Sequence, residues 1–306
     1  MGRFDIRDDG ERAKEAEPRT PAKPEAGRAR VEQLPQRAVA RTRANDDRDH
    51  ALTLPRTQHR EDVRHGGQVY RLRGSEVDLL ERAARYRAVF TDDLVEHSGD
   101  GKRCRDDLRS LEQQGLVETR AVTRLRDGVV VDVSAVTPAG KGLLDDHRDS
   151  SDDRGQEYYG GWVKPAEIWH DASVFRMCRE VEAEVEATGG RVRRTVLDDE
   201  LKARAFRALH VARSRGGQDD EHHTIAAAAE GLHVENGRFV LPDARLEIED
   251  ADGSLRTVDL ELVTEHYHRG HLGGKARAGF RMFSSGSSGA HGGRPQDVRL
   301  IERLLR

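Results

Sequence analysis

The stretch that decides the fold is Thr91–Arg120, "TDDLVEHSGDGKRCRDDLRSLEQQGLVETR", continued at Val129–Leu144 by "VVVDVSAVTPAGKGLL". Thr91 can cap a short helix that ends near Ser98-Gly99. In the next helix Cys104, Leu108 and Leu111 recur at intervals of four and three, which places them on one face. Gly115 stands where a helix end favours left-handed backbone. Two β-rich pieces follow, 116–125 and 129–137, joined through Asp127-Gly128, a step suited to a tight hairpin turn. Thr137 then caps another helix, with Pro138 at its first position. Upstream, "SEVDLLERAARYR" (75–87) repeats Val77, Leu80 and Ala84 at helical spacing, with Ser75 as cap and Asp78 three residues on, as in a capping box. Helix, helix, helix, strand, strand, helix is the order of a winged helix-turn-helix, expected over 67–145.

The central helix carries a second stripe. Lys102, Arg105 and Arg109 recur at intervals of three and four, apart from the apolar face, with Arg103 beside them. Guanidinium groups on the second helix of a helix-turn-helix can pair bidentately with guanine edges or with phosphates. Arg124 and Arg126 flank the expected wing tip, within reach of an adjacent groove. Against this stand Asp106 and Asp107 on the same helix, and the acidic "TDDLVEHSGD" before it; with these the basic stripe would be only a solvated face.

Around this unit the composition changes. Of 306 residues, 35% are charged and only 5% aromatic, so the cores must be thin and aliphatic. A net charge of −4 excludes a general polycation, and nucleic-acid binding would have to come from local basic faces. Residues 1–66, rich in Arg, Asp, Glu, Ala and Pro, lack sustained periodicity and are expected to be a disordered tail. The polar "DHRDSSDDRGQEYYG" (146–160) is expected to be a linker, placed at 146–161. The two cysteines, Cys104 and Cys178, fall on inward helical positions as reduced core thiols. No apolar run approaches a membrane span. The opening residues carry charge where a signal peptide needs an apolar stretch, so a soluble cytoplasmic protein is expected.

The remaining residues, 162–306, alternate helix and strand patterns. "DASVFRMCREVEAEVEATGG" (171–190) is amphipathic, with Val174, Cys178, Val181 and Val185 on one face. "RVRRTVL" reads as a strand, "DDELKARAFRALHVAR" as a helix, and "GGQDDEHH" (216–223) as a mobile loop. In "LPDARLEIEDADGSLRTVDLELV" (241–263), Asp243 precedes one strand, Asp252-Gly253 makes a turn, and Asp259 and Glu261 lie on the next strand. Lys275 follows on a helix, and "QDVRLIERLL" forms a terminal one. Two carboxylates on adjacent strands can share a Mg²⁺, which would polarise a phosphate and lower the pKa of an attacking water. A nearby lysine could orient that water. In the plainer alternative Asp243 is a turn residue, Glu261 a wet strand carboxylate and Lys275 a surface side chain. Glu265, His266, His268 and His271, with His222 and His223, show no complete four-ligand zinc pattern. "GGKARAG" lacks the spacing of a phosphate-binding loop.

Pro-Asp, a short span and an acidic strand resemble the PD-(D/E)XK nuclease superfamily, with Asp243 and Glu261 as the acids. Val263 stands where that pattern places its lysine. Together with the winged-helix segment, "VDLELVTEHY" and "GGKARAGF", the chain resembles the replication-relaxation family of plasmid and integrative-element proteins over roughly 70–306. In that family a winged helix precedes a PD-(D/E)XK-type domain, and the lysine comes from the following helix, here Lys275. The family's second strand acid and its helix tyrosine are replaced by Val263 and Phe280. The resemblance implies an α+β protein, a winged helix followed by a small α/β domain, acting on double-stranded DNA in plasmid or mobile-element replication or mobilisation. The nuclease-like site, with Asp243, Glu261 and Lys275, would be degenerate or, alternatively, a Mg²⁺-dependent nickase. A winged-helix repressor whose α/β part serves as a dimerisation or ligand module is a third reading, and a homodimer is compatible with each.

Overall fold

A computed structural model describes residues 54–96, 99–124, 127–147, 155–216, 218–263 and 269–284, the last without the side chains of 269–272 and 284. The chain is a mixed α+β fold. Its first part opens with a hairpin, β1 (Glu61–His65) and β2 (Gln68–Leu72), followed by α1 (Gly74–Ala84), β3 (Val89–Phe90), α2 (Thr91–Glu96) and α3 (Gly101–Gln113). Then come β4 (Val117–Thr123), β5 (Val130–Val136) and α4 (Pro138–Asp146). β5 lies between β3 and β4, antiparallel to both. From α1 onward this is the expected order of helices and strands, with a short strand, β3, added between α1 and α2.

Local signals set most boundaries. The Asp100 carboxylate accepts the Arg103 N–H at 3.0 Å and starts α3. Gly115, at φ 70°, ends it. The Thr137 hydroxyl accepts the Gly140 N–H at 3.1 Å, with Pro138 at the first turn of α4. The start of α1 differs from expectation. Ser75 lies inside the helix, and the Glu76 carboxylate, not Asp78, reaches back to the Arg73 N–H at 2.9 Å. β2 runs almost straight into the helix here, so the cap position falls on Arg73. Gly74 packs so closely on Arg56 that a Cβ would lie 2.6 Å from its carbonyl oxygen.

Two expected boundaries are corrected. The stretch taken as a tail to residue 66 contains β1, and the described chain starts at Leu54; residues 1–53 lie outside it. Leu54 and Val63 are buried in one core with Tyr70 and Leu72. The signal was local: a Gly66-Gly67 turn, both residues at positive φ, between two alternating strands. A composition averaged over 66 residues hides so short a hairpin. The expected linker is also packed where it is described. The Gln156 amide bridges the backbone of Thr195, donating to its carbonyl and accepting its N–H, both at 2.9 Å. Tyr158 is buried, the Tyr159 N–H donates to Ala84 at 2.7 Å, and the Gly161 N–H to Val136 at 2.8 Å.

The second part comprises α5 (Ile168–Ala187), β6 (Arg191–Leu197), α6 (Asp198–Arg213), α7 (Asp219–Glu230), a small hairpin of β7 (His233–Glu235) and β8 (Arg238–Val240), β9 (Ala244–Glu249), β10 (Leu255–Val263), α8 (Arg269–Arg277) and β11 (Arg281–Ser284). α7 begins inside the segment expected to be a mobile loop, where three acids, Asp219, Asp220 and Glu221, suit a helix N-terminus. The sheet order is β11-β10-β9-β6. All neighbours are antiparallel except β10 and β11, which α8 connects. Strand alternation splits this sheet into two unlike faces. Leu246, Ile248, Leu260 and Leu262 join Phe175, Cys178, Val181 and Val185 of α5 in one core. Arg194, Arg245, Asp259 and Glu261 belong to the opposite set. The apolar core is continuous with that of the first part: Tyr86 meets the Phe175 ring edge-on, with centroids 4.9 Å apart. The proposed terminal helix at 296–305 lies outside the described residues.

Candidate functional site

On α3 the two stripes separate as the periodicity requires. Cys104, Leu108 and Leu111 are buried, whereas Lys102, Arg105 and Arg109 are exposed. Arg109 pairs with Asp106 at 2.7 Å, but the two side chains are 65% and 49% exposed. Such a pair contributes at most about 1 kcal/mol and yields readily to a phosphate. Asp107 does not oppose the basic stripe: it is buried and paired with Arg73. Arg103 turns toward α1, where it donates to the Ser75 hydroxyl at 3.3 Å. The outward cations are therefore Lys102, Arg105 and Arg109.

The opposite flank of α3 is held by the N-terminal hairpin. Arg60 donates to Ser110 at 3.1 Å, and Gln114 exchanges hydrogen bonds with the Arg71 backbone at 2.7 and 3.2 Å. The wing departs from expectation. Arg124 binds Asp127 at 2.8 Å and lies over the Trp169 ring of α5, 4.7 Å from its centroid. Arg120 similarly covers Trp162 at 4.4 Å, and Trp162 donates its indole N–H to Glu118 at 2.8 Å. Arg124 thus faces the second part of the chain, because the Trp169 ring offers its guanidinium a close partner. Arg126 lies outside the described residues.

The acidic hairpin does bring its residues together. Leu260 pairs with Ala244, so Asp243 stands opposite Glu261 when the antiparallel register is carried one residue further. One Asp243 carboxylate oxygen accepts the Leu262 N–H at 2.7 Å. Its other oxygen faces His170 Nε2 at 3.5 Å. Glu261 is fully buried and paired with Lys275 from α8. Asp259 takes no part: Arg245 holds it at 2.6 and 2.8 Å while donating to the last carbonyls of α7, Glu230 and Gly231.

Sequence reasoning missed a second set of residues here. His170 lies 3.3 Å from Asp171 on its other ring nitrogen. Its hydrogen bonds to Asp171 and then Asp243 outweigh burial and push its pKa up to about 10, so it is a cation at neutral pH. Arg87, between α1 and β3, reaches Asp171 at 3.5 Å, Asp199 at 3.0 Å and also Asp198. The Asp198 N–H in turn donates to the Asp243 carbonyl at 3.2 Å. "HD" at a helix start is no motif, and nothing local in the sequence joins it to Arg87 or Asp243.

This donor set does not fit a magnesium ion, which takes six oxygen ligands in near-octahedral geometry. Both Asp243 oxygens are engaged, and Glu261 faces an ammonium group. Among the described residues, no three His, Cys, Asp or Glu side chains are grouped to hold a metal. His222 is buried in α7 and His223 bonds the Asp219 carbonyl at 3.0 Å; Glu265, His266 and His268 lie outside the described residues, and nothing is described of the His271 side chain. Among the described residues no helix is long and apolar enough to cross a membrane.

No protein-family model matches the chain, and no curated protein matches it. Among solved structures it is similar to Bacillus subtilis PadR in complex with operator DNA, at 13% identity over 51% of this chain and 89% of that one. The TM-score is 0.21. The resemblance to the replication-relaxation family has no match behind it.

Proposed function

We propose that the chain binds double-stranded DNA through α3, as a protein of plasmid or mobile-element replication or mobilisation whose nuclease-like part does not cleave. The observation that carries this reading is the placement of Lys102, Arg105 and Arg109. They stand exposed on the second helix of a helix-turn-helix, on the side away from Cys104, Leu108 and Leu111. A cationic helix face of this kind fits the major groove, where arginine pairs with guanine edges and lysine with phosphates. The packed wing favours a mode in which α3 makes the base contacts and Arg124 supports the fold. Fluorescence anisotropy with duplex DNA tests it: the Lys102/Arg105/Arg109 triple alanine variant should lose binding, and an unchanged affinity and salt slope would remove α3 from the interface.

One observation favours a second reading, a metal-dependent nickase: Asp243, Glu261 and Lys275 meet at one end of the β9–β10 pair. A plasmid nicking assay across Mg²⁺ and Mn²⁺ distinguishes the two. The engaged state of both carboxylates supports the non-cleaving reading.

A further inference from the structure

We propose that the Asp243–Glu261 site is closed by the chain's own basic side chains: His170 and Lys275 hold the places a divalent ion would take, and the protein excludes metal there. The proposal rests on the nuclease-like reading of the second part and says why that part would lack metal chemistry.

Two carboxylates projecting to one side of paired strands repel each other, and burial makes that repulsion costly unless positive charge lies beside them. A bound ion would supply two charges at one point. Here two basic groups arrive separately, from two different helices. Lys275 comes from the crossover helix α8 onto Glu261. His170 comes from the first turn of α5 toward Asp243, at 3.5 Å. The Leu262 N–H fills the remaining Asp243 oxygen at 2.7 Å. An entering divalent ion would have to displace both basic groups and break that backbone bond, and among the described residues it would gain only two carboxylates in return.

The pattern continues away from the pair. Asp171 lies between His170 and Arg87, so Arg87, Asp171, His170 and Asp243 form a row of alternating charge. Arg87 precedes β3 and thus belongs to the winged-helix part, where it also holds Asp198 and Asp199. The row joins the two parts of the chain at the end of the sheet where Asp243 sits. A metal ion in place of His170 would leave Asp171 with Arg87 alone. The arrangement is a polar seam that holds this junction.

Calorimetry of Mn²⁺ into the full chain, with melting curves with and without Mn²⁺, tests the proposal. The wild type should give only dilution heat and an unshifted melting temperature. Lys275→Met and His170→Gln each remove one basic partner of the carboxylates. Each should gain saturable Mn²⁺ binding and a melting temperature raised by several degrees in Mn²⁺. Adding Asp243→Asn to either should abolish the gain. Stoichiometric Mn²⁺ binding by the wild type that Asp243→Asn removes would overturn the proposal. So would two folded single variants, verified by circular dichroism, with wild-type heats. Should Lys275→Met fail to fold, the wild type and His170→Gln decide the matter, because His170 is partly exposed and its loss leaves the Glu261 pair intact. Duplex binding measured in chelator is a separate readout, so failure of the DNA-binding reading is recognised independently.

Discussion

Two charged surfaces of this molecule behave in opposite ways. On α3, Lys102 and Arg105 project into solvent, and Arg109 has only an exposed partner in Asp106. On the sheet, Arg245 is clasped by Asp259 and two helix-end carbonyls, and Glu261 by Lys275. Both surfaces are rich in charge, and composition cannot tell them apart. What separates them is desolvation. A buried ion must have its partner inside the fold, because an unpaired one is strongly destabilising. An exposed cation keeps its hydration and can exchange it for a phosphate. Charge that is paired internally serves the fold, and charge left in water is available to a partner.

The outward face of α3 depends most on its mechanical support. α3 keeps its outward face because the hairpin β1–β2 and residues 54–60 grip its other flank. A chain beginning at Gly67 loses β1 together with the buried Leu54 and Val63. At about 1.5–3 kcal/mol for each buried aliphatic side chain, it should be destabilised by roughly 3–6 kcal/mol. An unchanged urea midpoint would show that the hairpin is dispensable and α3 is held by α1 and α2 alone.

Next in size is Arg245→Met. It strands Asp259 and leaves the Glu230 and Gly231 carbonyls without their donor, at a cost of about 3–5 kcal/mol. Chemical denaturation reads this directly. A near-neutral result would place Asp259 among the exposed, exchangeable charges. On the other surface, Arg105→Ala should leave stability unaltered and weaken duplex binding by about 1–3 kcal/mol if the guanidinium contacts a base. If it contacts a phosphate, the salt slope should fall by about one unit instead. A stability loss without a binding loss would reverse the roles assigned to the two surfaces.

The smallest effect lies between the extremes, at His170, where 36% exposure lets solvent screen much of the pairing. Its pKa is raised from the ordinary 6.5 to about 10, so its contribution to stability is complete below about 6.5 and is lost as pH rises through about 10. The melting temperature should fall slightly over that range in the wild type. His170→Gln should remove that part of the slope. Identical pH profiles for the two proteins would show that His170 makes no ion pair that matters.

Features that depend on neighbours along the chain were legible in the sequence. Helical period separates Cys104, Leu108 and Leu111 from Lys102, Arg105 and Arg109. Thr137-Pro138, Gly115 and Asp252-Gly253 mark their helix and turn boundaries through local backbone preference. The register of one hairpin was enough to bring Asp243 opposite Glu261, and the next helix to bring Lys275. The fate of these charges was decided only in three dimensions. Asp107 looked like an opponent of the basic stripe until Arg73 drew it inward, and Arg124 looked like a wing-tip contact until Trp169 gave it a face to lie on. His170, Asp171 and Arg87 come from elements far apart in the chain, and no spacing rule links them. The physical reason is common to all of these cases. Backbone preference and periodicity act over a few residues and are written into short stretches, whereas desolvation and ion pairing depend on which elements the hydrophobic core brings together.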